Sequence, residues 1–202
     1  MLSVQTLARR IRQRLHDTEQ ITYDDDEILD CINCGVRFIR RIIARARPAL
    51  LMSESKGSLA AGKNKIELSA YPLKVVNVTV NGKALHETEL AFAIHERSDT
   101  KGEPAEFYLT GSKTINFYPT PTEPTPYVIC TVDDIKELVW KDKSPLLTEF
   151  DDFLVEYATI RLSIGEEYDM TQESQLMANI ANQIQQILLP PPSGISTKGY
   201  WS

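Results

Sequence analysis

The apolar residues change period twice along the chain, from about 3.6 residues to about 2 and back again, and this double switch restricts the fold more than any single motif. Ser3 stands at an N-cap position, followed by Val4, Leu7, Ala8, Ile11 and Leu15 on one helical stripe, with Arg9, Arg10, Arg12 and Arg14 largely off it. This helix is expected to end near His16-Asp17. A second begins at Asp24, where Glu27 completes an Asp-x-x-Glu capping box and Tyr23 is placed as a staple. Its acidic start suits the helix macrodipole. Ile28, Leu29, Ile32, Val36, Ile39 and Ile43 form its inward stripe, and Pro48 stops it. Residues 1–50 therefore read as a helical hairpin.

Between about Lys65 and Val132 the period falls towards 2, with β-branched and aromatic residues bounded by Gly, Pro and Asn. Val75–Val80, then Asn81-Gly82, then Lys83-Ala84-Leu85 predicts a hairpin, because Asn-Gly tolerates the two positive φ angles of a type I′ turn. Glu106–Leu109 and Thr114–Tyr118, joined through Gly111-Ser112, predict a second. Pro119, Pro121, Pro124 and Pro126 then forbid regular ladder bonding, so a stiff surface loop is expected before a last strand over Tyr127–Val132. Residues 51–140 are assigned to this antiparallel β module.

After Trp140 the helical period returns. Phe150, Phe153, Leu154, Tyr157, Ala158, Ile160, Arg161, Leu162 and Ile164 fit a largely buried helix, opened near Ser144-Pro145 or Thr148 and ended by Gly165. A final helix starts near Thr171, carries Leu176, Ile180, Ile184, Ile187 and Leu188, and breaks at Pro190-Pro191-Pro192. Residues 141–189 thus complete what the first helices begin. The expected class is α+β: a helical bundle formed by N- and C-terminal helices, with an inserted small antiparallel β module and an extended C-terminal tail. That tail, residues 190–202, carries Ile195 and closes on Gly199-Tyr200-Trp201. Tyr and Trp are interface anchors and proline stiffening lowers the ordering cost, so Pro190, Pro191, Pro192, Ile195, Tyr200 and Trp201 are candidate docking residues. The plainer alternative is that the aromatics fold back on the chain's own core.

Composition narrows the function. At 202 residues, with 42% hydrophobic and 25% charged, the chain can bury roughly 70% of its unfolded surface, enough for a self-sufficient core. No apolar run reaches the ~18 residues of a membrane span, and no signal-type stretch opens the chain, so neither a membrane association nor export is expected. Three cysteines make neither a disulfide framework nor a zinc set, which points to a reducing cytoplasm. Charge is asymmetric: residues 1–50 hold nine Arg, no Lys and seven acids, whereas the remainder is strongly acidic. An all-Arg front end suits nucleic acid or ion pairs between copies, and it equally suits two solvated helix faces.

Candidate chemistry is sparse. His16, His86 and His95 keep company with no His-Glu-x-x-His, Gly-x-Ser-x-Gly or phosphate-loop motif. Cys31-x-x-Cys34 lacks the βαβ context of a redox pair, so both are expected as small core residues. Asp24-Asp25-Asp26-Glu27 lacks the spaced ligands and Gly of a calcium loop, and capping explains it more simply. Glu149, Asp151 and Asp152 are expected to open a helix in the same way. No enzyme, cofactor or metal is expected. Arg37, Arg41 and Arg45 recur four apart, with Arg40 and Arg47 close to that stripe. Such a stripe neutralises phosphates or pairs with acids, but it lacks the Asn, Gln or Ser interleaving of base readout.

The order of parts resembles the head-to-tail adaptor (connector) family of tailed phages. The residues that carry the resemblance are Thr22–Asn33; Ile66-Glu67-Leu68-Ser69 with Tyr71-Pro72-Leu73-Lys74-Val75 and Val80-Asn81-Gly82-Lys83; Ile115–Pro121; and Asp151–Leu162. It extends over roughly residues 4–189, with Tyr23 where Trp is the commoner opener. The resemblance implies a noncatalytic virion subunit, made in the host cytoplasm and located in the neck between capsid and tail. It implies a ring, most often of twelve copies, whose partners are the portal protein, a tail or nozzle protein, and genomic DNA met non-specifically in the lumen. The tail then becomes a candidate portal-docking arm, and Arg37, Arg40, Arg41, Arg45 and Arg47 candidates for the subunit interface or the DNA channel. Other readings are a tail-completion (stopper) protein and a small DNA-binding regulator.

Overall fold

A computed structural model of the chain describes residues 1–89, 100–164 and 170–189. It divides into two units, one from Met1–Ala46 with Leu138–Ser202, the other from Arg47–Glu137. The architecture is α+β, with helices at both ends of the chain order and strands between.

The helical unit contains α1 (Val4–Arg14), α2 (Asp25–Ala46), α3 (Asp151–Ile164) and α4 (Met170–Leu188). Ser3 caps α1, its hydroxyl accepting from the Thr6 N–H at 3.1 Å. The capping box of α2 closes in both directions: Asp24 accepts from the Glu27 N–H at 2.7 Å, and Glu27 accepts from the Asp24 N–H at 3.0 Å. Ile28, Ile32, Val36, Ile39 and Ile43 are fully buried, as their spacing predicts. Helix α3 packs against α1, α2 and α4 alike, which is why its apolar residues, among them Leu154, Val155, Tyr157, Ala158 and Leu162, do not keep to one stripe. Gly35 permits the α2–α3 crossing, because a Cβ there would lie 2.6 Å from Leu154 Cδ1 and 2.8 Å from Tyr157 Cδ1. Asn33, also buried, pairs with the Leu138 backbone, donating to its carbonyl at 3.2 Å and accepting from its N–H at 2.7 Å. This fastens the returning chain to α2. Residues 2–4 are likewise tied to residues 142–144 by backbone hydrogen bonds.

The strand unit holds two four-stranded sheets over one core of Leu59, Val78, Val80, Phe107, Ile115, Phe117 and Ile129 with their neighbours. The first sheet is ordered β1-β8-β3-β4, from β1 (Ser53–Leu59), β3 (Pro72–Val80), β4 (Lys83–Ala84) and β8 (Thr125–Asp133). The second is ordered β2-β7-β6-β5, from β2 (Lys65–Glu67), β5 (His86–Glu87), β6 (Glu106–Thr110) and β7 (Thr114–Tyr118). Both predicted hairpins form. Asn81 and Gly82 turn β3 into β4 with φ of 51° and 76°, and Gly111 takes φ 61° between β6 and β7.

Two expectations are corrected. Strand β1 has no alternating pattern to betray it, since six of its seven residues are exposed. The last strand starts at Thr125 rather than Tyr127 and includes Pro126, which gives no N–H but accepts through its carbonyl from Asn81. The expected β module thus consists of two sheets, and β5 pairs parallel to β6. Among the described residues, no helix is long and apolar enough to cross a membrane.

Candidate subunit interface

Helix α2 is electrically two-ended. Asp25, Asp26, Glu27 and Asp30 occupy its first two turns, and its arginines all lie beyond Gly35. The macrodipole favours the acids of the first turn and Arg45 in the last. Arg41 and Arg45 are exposed one turn apart, and Arg37 is half-buried. Arg40 is only 8% exposed, because residues 33, 36, 40 and 44 fall on one buried arc. Arg47 lies past the helix end and opens the Pro48–Leu50 turn of the other unit. Of the predicted stripe of Arg37, Arg41 and Arg45, with Arg40 and Arg47 beside it, the helix thus exposes the pair Arg41 and Arg45, for which no ion-pair partner exists among the described residues.

Beside that pair runs a groove between α2 and α4 of about 440 Å³, lined by Phe38, Ile42, Ala46, Ala181, Gln185, Arg41 and Arg45. Its walls are held from behind. Phe38 packs its ring 5.0 Å from that of Tyr157 on α3, and Ile39 and Ile43 of α2 and Ile180 and Ile184 of α4 are buried. At the far end of α4, Ile187 is 46% exposed, although its spacing put it on the inward stripe.

The acidic end of α2 adjoins a stiffened turn. Asp17, itself buried, accepts from the N–H of Ile21 at 2.8 Å and of Thr22 at 2.9 Å, and meets the guanidinium of Arg12. Arg12 also donates to the Tyr23 carbonyl at 2.9 Å and to Asp25 at 2.8 Å. The Thr22 N–H, then those of Ile21 and Tyr23 and the charge on Arg12, hold the Asp17 carboxyl below the usual carboxylate range against the opposing effect of burial. This network presents Ile21, at 78% exposure, on the outside of the turn. Arg12 is a correction, being buried where its position in the first helix placed it largely off the inward stripe. Ile21 was not anticipated either; a lone Ile between polar residues in a turn was the available signal.

The remaining candidates disperse. Cys31 is half-buried and Cys34 exposed, which corrects their reading as core residues. Burial, with Cys34 nearby, pushes the Cys31 thiol up to about 11, so it stays protonated near neutrality and is a poor nucleophile. Asp151 opens α3 as expected, but it is buried and accepts from the Leu2 N–H at 3.1 Å. Arg161 is held by Glu173 across α3 and α4, and that hydrogen bond raises its pKa further. His16 and His86 are exposed, and His95 lies outside the described residues. So do Pro190, Pro191, Pro192, Ile195, Tyr200 and Trp201. Among the described residues, no three His, Cys, Asp or Glu side chains gather as a metal set.

A family model described as SU10 adaptor protein matches residues 2–189. No curated protein matches the chain.

Proposed function

The chain belongs to the SU10 adaptor protein family, and on that footing we propose that copies of it form a ring of twelve below the portal of a tailed phage, joining capsid to tail. The family makes the chain a phage adaptor; in this reading its part in the virion is structural rather than catalytic. The ring surrounds the channel through which genomic DNA passes, and contacts with that DNA are non-specific and made to phosphates. One side of the ring meets the portal and the other a tail or nozzle protein, with residues 190–202 as the arm that docks on the portal.

The observation that carries this reading is the extent of the family match, from residue 2 to residue 189 across both units. The two-ended charge of α2 supports it as well. A surface that is acidic at one end and basic at the other favours heterologous contacts between copies, the kind that builds a ring when the rotation between copies divides a full turn. Mass measurement of the full chain mixed with its cognate portal tests the proposal. The expected product is a single complex with one ring of this chain per portal ring. A chain that stays monomeric beside intact portal overturns it.

A further inference from the structure

We propose that the α2–α4 groove receives the acidic corner of a second copy, with Ile21 seated on Phe38, Ile42 and Ala181 while Asp26 and Asp30 pair with Arg41 and Arg45. The inference rests on the ring-forming reading and specifies the contact that builds the ring. Each half of the joint is present on every copy. The groove, about 440 Å³ in volume, offers an apolar floor with two exposed arginines at its rim. The corner offers an exposed isoleucine five residues before Asp26, the first of two exposed carboxylates.

The charges match in spacing as well as in sign. Asp26 and Asp30 stand one turn apart on α2, as do Arg41 and Arg45, so two ion pairs form together when one copy's helix start meets another's helix end. They do not form within one chain. Fifteen residues separate Asp26 from Arg41 and Asp30 from Arg45, which is about 22 Å along a continuous helix. The knob is also preorganised, because Asp17 and Arg12 fix the turn that carries Ile21 and little ordering remains to be done on contact. A joint of this kind uses different patches on the two partners. It is heterologous, and it closes on itself only if the rotation between copies divides a full turn. Duplex DNA is the competing occupant for Arg41 and Arg45. It satisfies the arginines but leaves the apolar floor and the exposed Ile21 unfilled, so the second copy accounts for more of what the surface presents.

Charge exchange tests the joint. Arg41→Glu/Arg45→Glu and Asp26→Arg/Asp30→Arg each set like charges against one another, and each is expected to weaken self-assembly by more than about tenfold in concentration. Both variants are expected to fold normally by circular dichroism, since the altered side chains are exposed. Mixed together, the two restore assembly in strict alternation. A chain carrying all four exchanges assembles alone. Ile21→Ser weakens assembly without changing its charge dependence. If wild type forms rings with portal and the double variants do so equally well, the joint is refuted while the ring reading stands. If the arginine variant assembles normally but loses salt-dependent duplex affinity, these arginines serve DNA and the joint is again refuted. Wild type that forms no ring with portal removes the ring reading itself, and the joint with it.

Discussion

Arg12 sits on the last turns of α1 with its guanidinium turned inward, although the four arginines of that helix look alike in sequence. What distinguishes it is Asp17, five residues on, which folds back to meet it while collecting the backbone N–H groups of Ile21 and Thr22. A buried arginine without such a partner is strongly unfavourable, so the turn between α1 and α2 is shaped around this pair. The pH dependence follows from the lowered Asp17 pKa. A folded pKa below the unfolded one gives stabilisation that is complete above the unfolded value, near 4, and is lost as pH falls through the folded value. Asp17→Asn is therefore expected to lower the denaturation midpoint clearly at pH 7, and the gap from wild type is expected to close below about pH 4. Midpoints offset equally at pH 7 and pH 3 exclude the carboxylate as the source.

At the scale of elements, the crossing of α2 and α3 depends on a missing side chain. Gly35→Ala gains about 1 kcal/mol of helix propensity, but its Cβ collides with Leu154 and Tyr157, both buried and unable to withdraw. Overpacking of that kind costs about 1–3 kcal/mol. A net destabilisation is expected in chemical denaturation, and a stabilised variant would show that the helices can separate freely. The same scale shows what a local pattern can and cannot carry. Capped, amphipathic α1 and α2 and the Asn81-Gly82 hairpin are legible because the signals lie within a few residues of one another. Strand β1 is illegible, because Ser53–Leu59 has a single buried residue and owes its conformation to pairing with β8, some seventy residues away. Ile187 misleads for a related reason: Ile180, Ile184 and Leu188 are buried while Ile187 is 46% exposed, so packing draws the inward face of α4 along the first three and leaves Ile187 off it.

For the whole molecule, the family match ends at residue 189, just before Pro190-Pro191-Pro192 and the proposed docking arm. If the arm is a docking device, deleting Pro190–Ser202 leaves folding intact and abolishes attachment to the portal. Normal circular dichroism with no co-sedimentation is the expected result, and undiminished co-sedimentation excludes the assignment. Sequence by itself determined the helix–strand–helix order, the caps, the two hairpins and the family, since each is written in spacings along the chain. The tertiary structure alone decided which arginines face outward, that Arg12 and Arg40 turn in, and that an apolar groove lies beside Arg41 and Arg45. Those outcomes depend on which residues distant in sequence arrive next to a helix face, and a helix carries no local record of what will cover it.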